Sequence, residues 1–149
     1  MAQITGAISS KDYVVEYSTN GSSWTDASGA VTTISPTGGG KITGETYTFS
    51  GDDPLVTVGK NQPFEIAITA VYTEGVSDLF EIARVPFENG TAFYLRWSPK
   101  GGQTGEFMFT TGEGRLTALT YPGGDAANGG PIMTGATWRG KKPTKSVVA

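Results

Sequence analysis

The stretch EIAITAVYTEGVSDLFEIARVPFENGTAFYLRWSP, residues 65–99, decides the fold because its hydrophobic period changes twice. With the residue before it, the first part places apolar side chains at every second position: Phe64, Ile66, Ile68, Ala70 and Tyr72. A period of two predicts a strand over 64–72. The alternation returns in AFYLRW, residues 92–97, which predicts a second strand there.

Between these strands the apolar residues recur at i, i+3, i+4 and i+7: Val76, Leu79, Phe80 and Ala83. That spacing is typical of one apolar stripe on an amphipathic helix. Ser77 is a suitable N-cap, and Arg84 suits the last turn. Pro86 limits or bends the helix, and a left-handed exit is expected at Gly90. The sequence therefore predicts one short helix over about 76–88.

The rest of the chain consists of short alternating runs between glycine- and proline-rich turns. The further predicted strands cover 13–18, 30–34, 46–50, 55–59, 106–111, 115–121 and 132–138, and an Asn-Gly turn after the first of them precedes Trp24 and Thr25. About eight or nine strands and one helix predict a mainly β fold, an antiparallel sandwich or partly closed barrel flanked by the helix. We expect a single domain over 1–149, with a long mobile loop over 35–45 and an exposed basic C-terminal arm over 139–149.

The composition argues against several classes of function. The chain has 149 residues, a formal net charge of −3, and neither histidine nor cysteine. It lacks the usual general base, zinc ligands and thiol nucleophile, and its acidic balance argues against tight nucleic-acid binding. No stretch approaches the roughly 18 apolar residues of a membrane span, and the first residues do not resemble a secretion signal. We expect a protein that is not an enzyme, uses no cofactor and does not enter a membrane.

Several local motifs favour ordinary turns over binding sites. SPTGGGKIT, residues 35–43, lacks the first glycine and the final Ser or Thr of a phosphate-binding loop. Asp52, Asp53 and the GGD at 123–125 lack the alternating oxygen ligands of a calcium loop. A carboxylate hydrolase stays open as an alternative, since the sequence fixes no distance among Glu65, Glu106 and Glu113.

The three tryptophans are candidates for a binding platform. Trp97 alternates with Phe93 and Leu95 on one strand face, as a core residue does. Trp24, which follows an Asn-Gly turn, and Trp138 are free of that argument. For these two, sugar binding stays open beside packing in the subunit or at a subunit contact, and packing is favoured.

The order of elements resembles the major tail proteins, or tail tube proteins, of long-tailed non-contractile bacteriophages. The resemblance depends on the strand-helix-strand unit 65–99 in an otherwise all-β chain, the glycine-rich stretch before it, and the closing strands GEFMFTTGEGRLTAL and GGPIMTGATWRG. It runs from about Tyr13 to Arg139. It implies two packed sheets with one flanking helix, a fold shared with contractile-tail and type VI secretion tubes.

The resemblance also implies a function. The chain would be a structural virion protein, assembled in the host cytoplasm, whose six-fold rings stack into the hollow tail tube through which DNA passes. Its partners would be copies of itself, a tape-measure protein and a tail terminator. In the family, the long loop and the terminal arms reach neighbouring rings. We therefore expect subunit and ring contacts to include Gly38, Gly39, Gly40, Lys41, Trp24, Trp138, Arg139, Lys141 and Lys142.

The net charge suggests the character of the channel wall. Six copies, each at −3, give a ring a charge of −18. An acidic wall repels phosphates and does not hold DNA by counterion release, which suits a conduit. We expect some of four acidic residues on that wall: Glu45, Asp52, Glu106 and Glu113.

The alternative from a different class is a carbohydrate-binding or immunoglobulin-like β-sandwich module that uses Trp24 or Trp138 as its platform. Negative-stain microscopy separates the two hypotheses, because a tube protein forms rings or tubes and a binding module stays a small particle.

Overall fold

The computed structural model describes residues 2–149 and has eleven strands and one α-helix in that range. In chain order these are β1 (Val14–Ser18), β2 (Thr25–Asp26), β3 (Val31–Gly38), β4 (Lys41–Thr46), β5 (Leu55–Asn61), β6 (Phe64–Val71), α1 (Leu79–Asn89), β7 (Tyr94–Ser98), β8 (Phe107–Thr110), β9 (Gly114–Thr120), β10 (Met133–Gly140) and β11 (Thr144–Val147). The prediction of a mainly β protein with one helix is confirmed, with more strands than expected.

The strands form three antiparallel sheets. Five strands lie in the order β11-β8-β7-β1-β2, four in the order β3-β6-β10-β9, and β4 and β5 form a separate hairpin. The two larger sheets contribute to one core, and no sheet of the described chain closes on itself. Of the two predicted architectures, the single chain therefore forms the sandwich.

The core lies between the two larger sheets and uses alternate positions of their strands. In β6 the inner positions include Ile66 and Ile68, at the period of two seen in the sequence. Opposite them, Leu95 and Trp97 of β7 are buried, which confirms Trp97 as a core residue, and Trp138 of β10 is completely buried. Each such side chain stabilises the fold by about 1.5–3 kcal/mol, so this core holds the sheets together.

Helix α1 covers part of the inner face of the four-stranded sheet. It contacts β9 and β10, and its Ala83 is buried against the core. The helix ends before Gly90, whose φ of 66° is the predicted left-handed exit. Pro86 lies inside the helix and is buried, so it does not end it. No helix within residues 2–149 is long and apolar enough to cross a membrane.

The predicted start of the helix is wrong by a few residues. Asp78, not Ser77, is the N-cap residue, and the helix begins at Leu79. The Gly75 N–H donates a hydrogen bond of 2.8 Å to the Asp78 carboxylate, which fixes a turn immediately before the helix. Hydrogen bonds from the Thr73 side chain and the Gly75 backbone lower the pKa of Asp78.

The predicted mobile loop over 35–45 is also wrong. Residues 35–38 continue β3, Gly39 and Gly40 form a turn, and β4 begins at Lys41. Pro36 is compatible with this because β3 is an edge strand of its sheet, where a missing N–H is tolerated. The strand predicted over 46–50 ends at Thr46 instead, and the chain from 47 to 54 forms the tip of the β4–β5 hairpin.

The predicted C-terminal arm over 139–149 belongs largely to the sheets. Arg139 and Gly140 end β10, and β11 pairs antiparallel with β8. The residues of β11 are exposed, but they form a sheet edge and not a free arm. Its partner strand lies far back in the chain, so the lysine-rich local sequence does not reveal the pairing.

Candidate assembly surfaces

The outer face of the four-stranded sheet consists of small side chains. Because strand residues alternate between faces, the positions between the buried ones point outward. They are mostly threonine, serine, alanine and glycine: Thr33, Ser35, Thr37, Ala67, Thr69, Ala118, Thr120, Gly135 and Thr137. Part of this surface is a shallow concavity of ≈ 380 Å³. We call it the small-residue face.

Gly135 illustrates why side chains on this face are small. A Cβ at Gly135 would lie 2.6 Å from the backbone oxygen of Ile68, closer than real Cβ atoms approach. The close approach of β10 to β6 therefore requires glycine at this position. The surface stays smooth as a consequence of strand packing.

The charged groups on the small-residue face are paired. Arg139 of β10 contacts Glu65 of β6 at 3.5 Å, and Arg115 of β9 contacts Glu113 at 3.1 Å. Both pairs lie at the same end of the sheet, since Arg139 is opposite Glu65 and Arg115 in the strand register. Exposed pairs of this kind add little stability, but they leave the face close to neutral.

One margin of the small-residue face is β3. The Gly39 N–H donates to the Pro63 carbonyl at 3.3 Å, so these two residues form a hydrogen-bonded pair. In an antiparallel pair of strands, hydrogen-bonded pairs alternate with pairs whose N–H and C=O groups point away from the partner strand. In the register of β3 with β6, the backbone groups of Ile34 and Gly38 therefore point away from β6. Pro36 of the same strand is also at an outward position, where it has a carbonyl but no N–H to donate.

The opposite margin is β9. A bridge between Ala92 and Arg115 covers its first part, and the Phe93 N–H donates to the Gly114 carbonyl at 2.9 Å. Residues 117–120 have no strand on their outer side among the described residues. Each neighbouring pair in this sheet is antiparallel, so β3 and β9 run in opposite directions.

The β4–β5 hairpin leaves the body of the protein. Every residue of both strands is exposed, although several are apolar. The large exposed side chains are Ile42, Tyr47, Phe49, Leu55, Val56 and Val58. An isolated two-stranded ribbon is marginally stable in water, so this hairpin is a candidate for contact with another molecule.

The structure brings together the predicted contact residues at 38–41 and 139–142. The Gln62 N–H donates to the Gly40 carbonyl at 2.7 Å, and Lys142 passes close to Gly39. Lys41, Lys141 and Lys142 are exposed. Gly38 and Gly39 have φ of 91° and 70°, so the turn that joins β3 to the hairpin favours glycine at both positions.

The two remaining tryptophans lie in different environments. Trp24 is half-buried on the outer side of the five-stranded sheet, with the Arg96 guanidinium 4.5 Å from its ring centre. Arg96 also donates to the Glu16 carboxylate across β1 and β7, which fixes its position. Trp24 is therefore accessible on one side, and its role as a subunit contact stays a prediction.

The prediction that Trp138 is a subunit contact is wrong. Its exposed fraction is 0%, and its indole N–H donates to the Phe93 carbonyl at 2.7 Å. The tryptophans do not form one exposed platform, because Trp97 and Trp138 are in the core.

The four acidic residues predicted for a channel wall do not share a surface. Glu45 lies on β4 and Asp52 at the hairpin tip. Glu106 precedes β8 in the five-stranded sheet, and Glu113 precedes β9. Only Glu113 adjoins the small-residue face. No three acidic side chains within residues 2–149 converge as metal ligands.

Sequence reasoning missed the small-residue face as a possible site. The signal was present in β6 and β10, where Ala67 and Thr69 alternate with buried residues, as do Gly135 and Thr137. The apolar half of this alternation predicts the core, and its small polar half forms the outer face.

Comparisons with solved structures identify the fold. A chain of the anti-feeding prophage cap, a tube-terminating cap, is 16% identical with a TM-score of 0.70, over 99% of this chain and 95% of that chain. A chain from the tail of a gene transfer agent particle is 15% identical with a TM-score of 0.69, over 96% and 100%. The SPP1 tail tube is 12% identical with a TM-score of 0.65, over 95% and 80%.

These matches define the class of the fold. The chain has the fold of tail tube proteins and of related tube components of phage-like particles, so the predicted resemblance is confirmed at the level of fold. No protein-family model and no curated protein sequence matches the chain.

Proposed function

We propose that this chain is a structural tail tube protein whose copies form rings that stack into a tube. One observation carries the proposal: the four-stranded sheet has a smooth, small-residue outer face between two margins that have outward backbone groups. Edges of this kind are normally protected or paired, and closure of a ring removes them.

The strand directions allow such a closure. The order β3-β6-β10-β9 alternates in direction along the sheet, so β9 of one copy and β3 of the next run antiparallel when copies are related by rotation. Residues 117–120 of β9 would meet the outward groups of β3. The tail of the gene transfer agent particle was computed with C6 symmetry. Six copies of a four-stranded sheet give an antiparallel barrel of 24 strands.

In this arrangement the small-residue face lines the channel. Its paired charges and short side chains offer DNA few free cations, so DNA gains little from counterion release. Three of the four residues predicted for an acidic wall, Glu45, Asp52 and Glu106, lie elsewhere. We therefore propose a nearly neutral wall in place of the predicted acidic one, with a tape-measure protein occupying the channel before DNA passes.

The β4–β5 hairpin would provide contacts between rings. Its exposed apolar residues need a partner, and a neighbouring copy is one that every ring supplies. The tube-terminating cap in the comparison suggests that a terminator closes the stack. The tube would lie in the tail of a virion, after assembly in the host cytoplasm.

Electron microscopy of the purified protein tests the proposal directly. We expect rings or tubes with a central channel in negative stain at high protein concentration. A preparation that stays monomeric at every concentration and ionic strength would contradict it.

Cysteine cross-linking tests the ring junction, since the chain contains no cysteine. Ser35→Cys on β3 and either Ala118→Cys or Thr120→Cys on β9 put thiols on the same face of the two margins. Within one chain β3 and β9 are about 14 Å apart at about 4.8 Å per strand, too far for a disulfide. Oxidation should give a ladder of covalent oligomers up to six. The control, Ser35→Cys with Thr25→Cys, should give no such ladder.

A further inference from the structure

The two kinds of basic residue are used differently in this chain. Its four arginines each contact a glutamate of the same chain within 4 Å, in the pairs described above and in a cluster of Arg84 with Glu81 and Glu88. None of the seven lysines has such a contact in the described chain. The positive charge that is free to attract another molecule is therefore lysine charge.

Four of the seven lysines lie at one end of the sandwich. This end contains the β3–β4, β5–β6, β8–β9 and β10–β11 turns, which are tied together by backbone hydrogen bonds from Gly39 to Pro63 and from Lys141 to Glu113. We call it the lysine end, and its free cations are Lys41, Lys60, Lys141 and Lys142. The two arginines there are neutralised by Glu65 and Glu113. A concavity of ≈ 350 Å³ lies between Asn61 and Lys142.

The opposite end has the opposite sign. The Val71 N–H donates to the Ala30 carbonyl, and the Ala27 N–H donates to the Val15 carbonyl, so the end of β6 and the start of β1 lie together. The loops at this end carry five carboxylates: Asp12, Glu74, Asp78, Glu106 and Asp125. Two lysines, Lys11 and Lys100, also lie there, which leaves a charge of −3 on this carboxylate end.

We propose that successive rings stack head to tail because the lysine end of each copy faces the carboxylate end of a copy in the next ring. This inference rests on the proposed function and specifies the chemistry of the contact between rings. The hairpin supplies apolar contact, and the two charged ends supply direction.

The charges favour one orientation over the others. A lysine end that meets a second lysine end brings eight like charges together, and two carboxylate ends repel in the same way, so only a head-to-tail stack lets unlike charges meet. Exposed charges are screened over about 8 Å at physiological salt and over about 3 Å at 1 M. Stacking should therefore weaken steeply with ionic strength, while β9–β3 pairing within a ring should not.

Charge reversal at one end provides the test. Lys141→Glu with Lys142→Glu changes the lysine end from +4 to 0 and should reduce sedimentable tubes at least about ten-fold at physiological salt, while rings persist. Lys141 and Lys142 are both exposed, so the fold should be unaffected.

A matched control has the same change in net charge at the other end. Lys11→Glu with Lys100→Glu makes the carboxylate end more acidic, and its tubes should be as abundant as those of the parent protein or more so. An effect of net charge alone would reduce tubes equally in both variants and would overturn the proposal.

Complementation makes the test independent of damage to either variant. Asp12→Lys with Glu74→Lys makes the carboxylate end basic, so this variant should also fail to stack alone. Mixed with a variant in which Lys41, Lys60, Lys141 and Lys142 are all replaced by Glu, which has a lysine end of −4 in place of +4, it presents a basic end to an acidic end at every junction, and tubes should return. Failure of any variant or of the parent to form rings would contradict the proposed function. Rings that stack equally well in all variants, or mixtures that stay unstacked, would contradict only the head-to-tail inference.

Discussion

Trp138 lies with its indole ring between the two large sheets, and the surrounding backbone is shaped to hold it. Gly114 of β9 lies directly beneath the ring, so closely that a Cβ there would overlap the indole. Gly140 is equally confined, because a Cβ there would lie 2.6 Å from the Glu113 carbonyl. These two glycines, at the ends of paired strands, allow the largest side chain of the core to be buried completely.

Gly114→Ala should destabilise the subunit strongly. The added methyl group overlaps the Trp138 ring, and overpacking of this kind typically costs about 1–3 kcal/mol. Urea unfolding at low protein concentration measures the effect. Gly123→Ala is the control, because nothing lies within 4 Å of a Cβ there, and its free energy of unfolding should be close to that of the parent. Equal stability of the two variants would contradict the packing described for Trp138.

Tyr13 should make the stability of the subunit fall at alkaline pH. Burial raises the pKa of Tyr13 from its usual 10.0 to about 12. Between these values the unfolded chain loses the phenol proton while the folded chain retains it, so stability declines as the pH rises from about 10 towards 12. Tyr13→Phe removes this contribution.

Urea unfolding of the parent and of Tyr13→Phe across this pH range makes the comparison. All other ionisable groups are the same in the two proteins, so only the difference between their pH profiles reports on Tyr13. Parallel pH profiles would mean that Tyr13 ionises equally easily in both states.

Elements differ in how well their sequence predicts them. The strand over 64–72 was predicted well because five alternating apolar residues face one core. Strand β5 was predicted over 55–59, but β4 was missed because the glycine-rich stretch with Pro36 that leads into it is typical of loops, and because β4 pairs only with β5. β11 was missed because its partner β8 is remote in sequence. The local sequence pattern therefore predicts the strands that pack in the core. It fails for strands that are defined only by their hydrogen bonds to another strand.

The surfaces were harder to predict than the core. Gly38–Lys41 and Lys141-Lys142 were expected at contacts and do lie together, because turns of neighbouring strands meet at one end of a sandwich. Trp138 was misassigned because a tryptophan on a short strand has the same local pattern whether it points inward or outward. Which face a side chain occupies depends on the sheet register, here with Ile66 and Leu116 opposite Trp138.

Hydrogen exchange should identify the hairpin as an element ordered by assembly. In the isolated subunit, the amides of β4 and β5 are protected only by each other, and both faces of the ribbon meet water, so they should exchange quickly. In tubes the same amides should become strongly protected. Amides of β6 and β10, in the middle of a sheet, should be protected in both states. Equal protection of the hairpin in the two states would contradict its role in stacking.

At the scale of the whole molecule, the exposed hairpin and the open sheet margins make the stability of the fold depend on its neighbours. A copy that binds only the folded form raises the free energy of unfolding by mass action, so the melting temperature should rise with protein concentration.

For the parent protein this rise in melting temperature should include contributions from ring closure and from stacking. A variant with residues 42–60 replaced by Asn-Gly keeps the core and the margins, so it should melt near the parent at low concentration and rise less steeply. Scanning calorimetry over about a hundred-fold range of concentration measures both slopes. A parent melting temperature that does not change with concentration would mean that the folded single chain gains no stability from other copies. The exposed apolar side chains of the hairpin and the open backbone groups of the sheet edges would then not be contacts between copies.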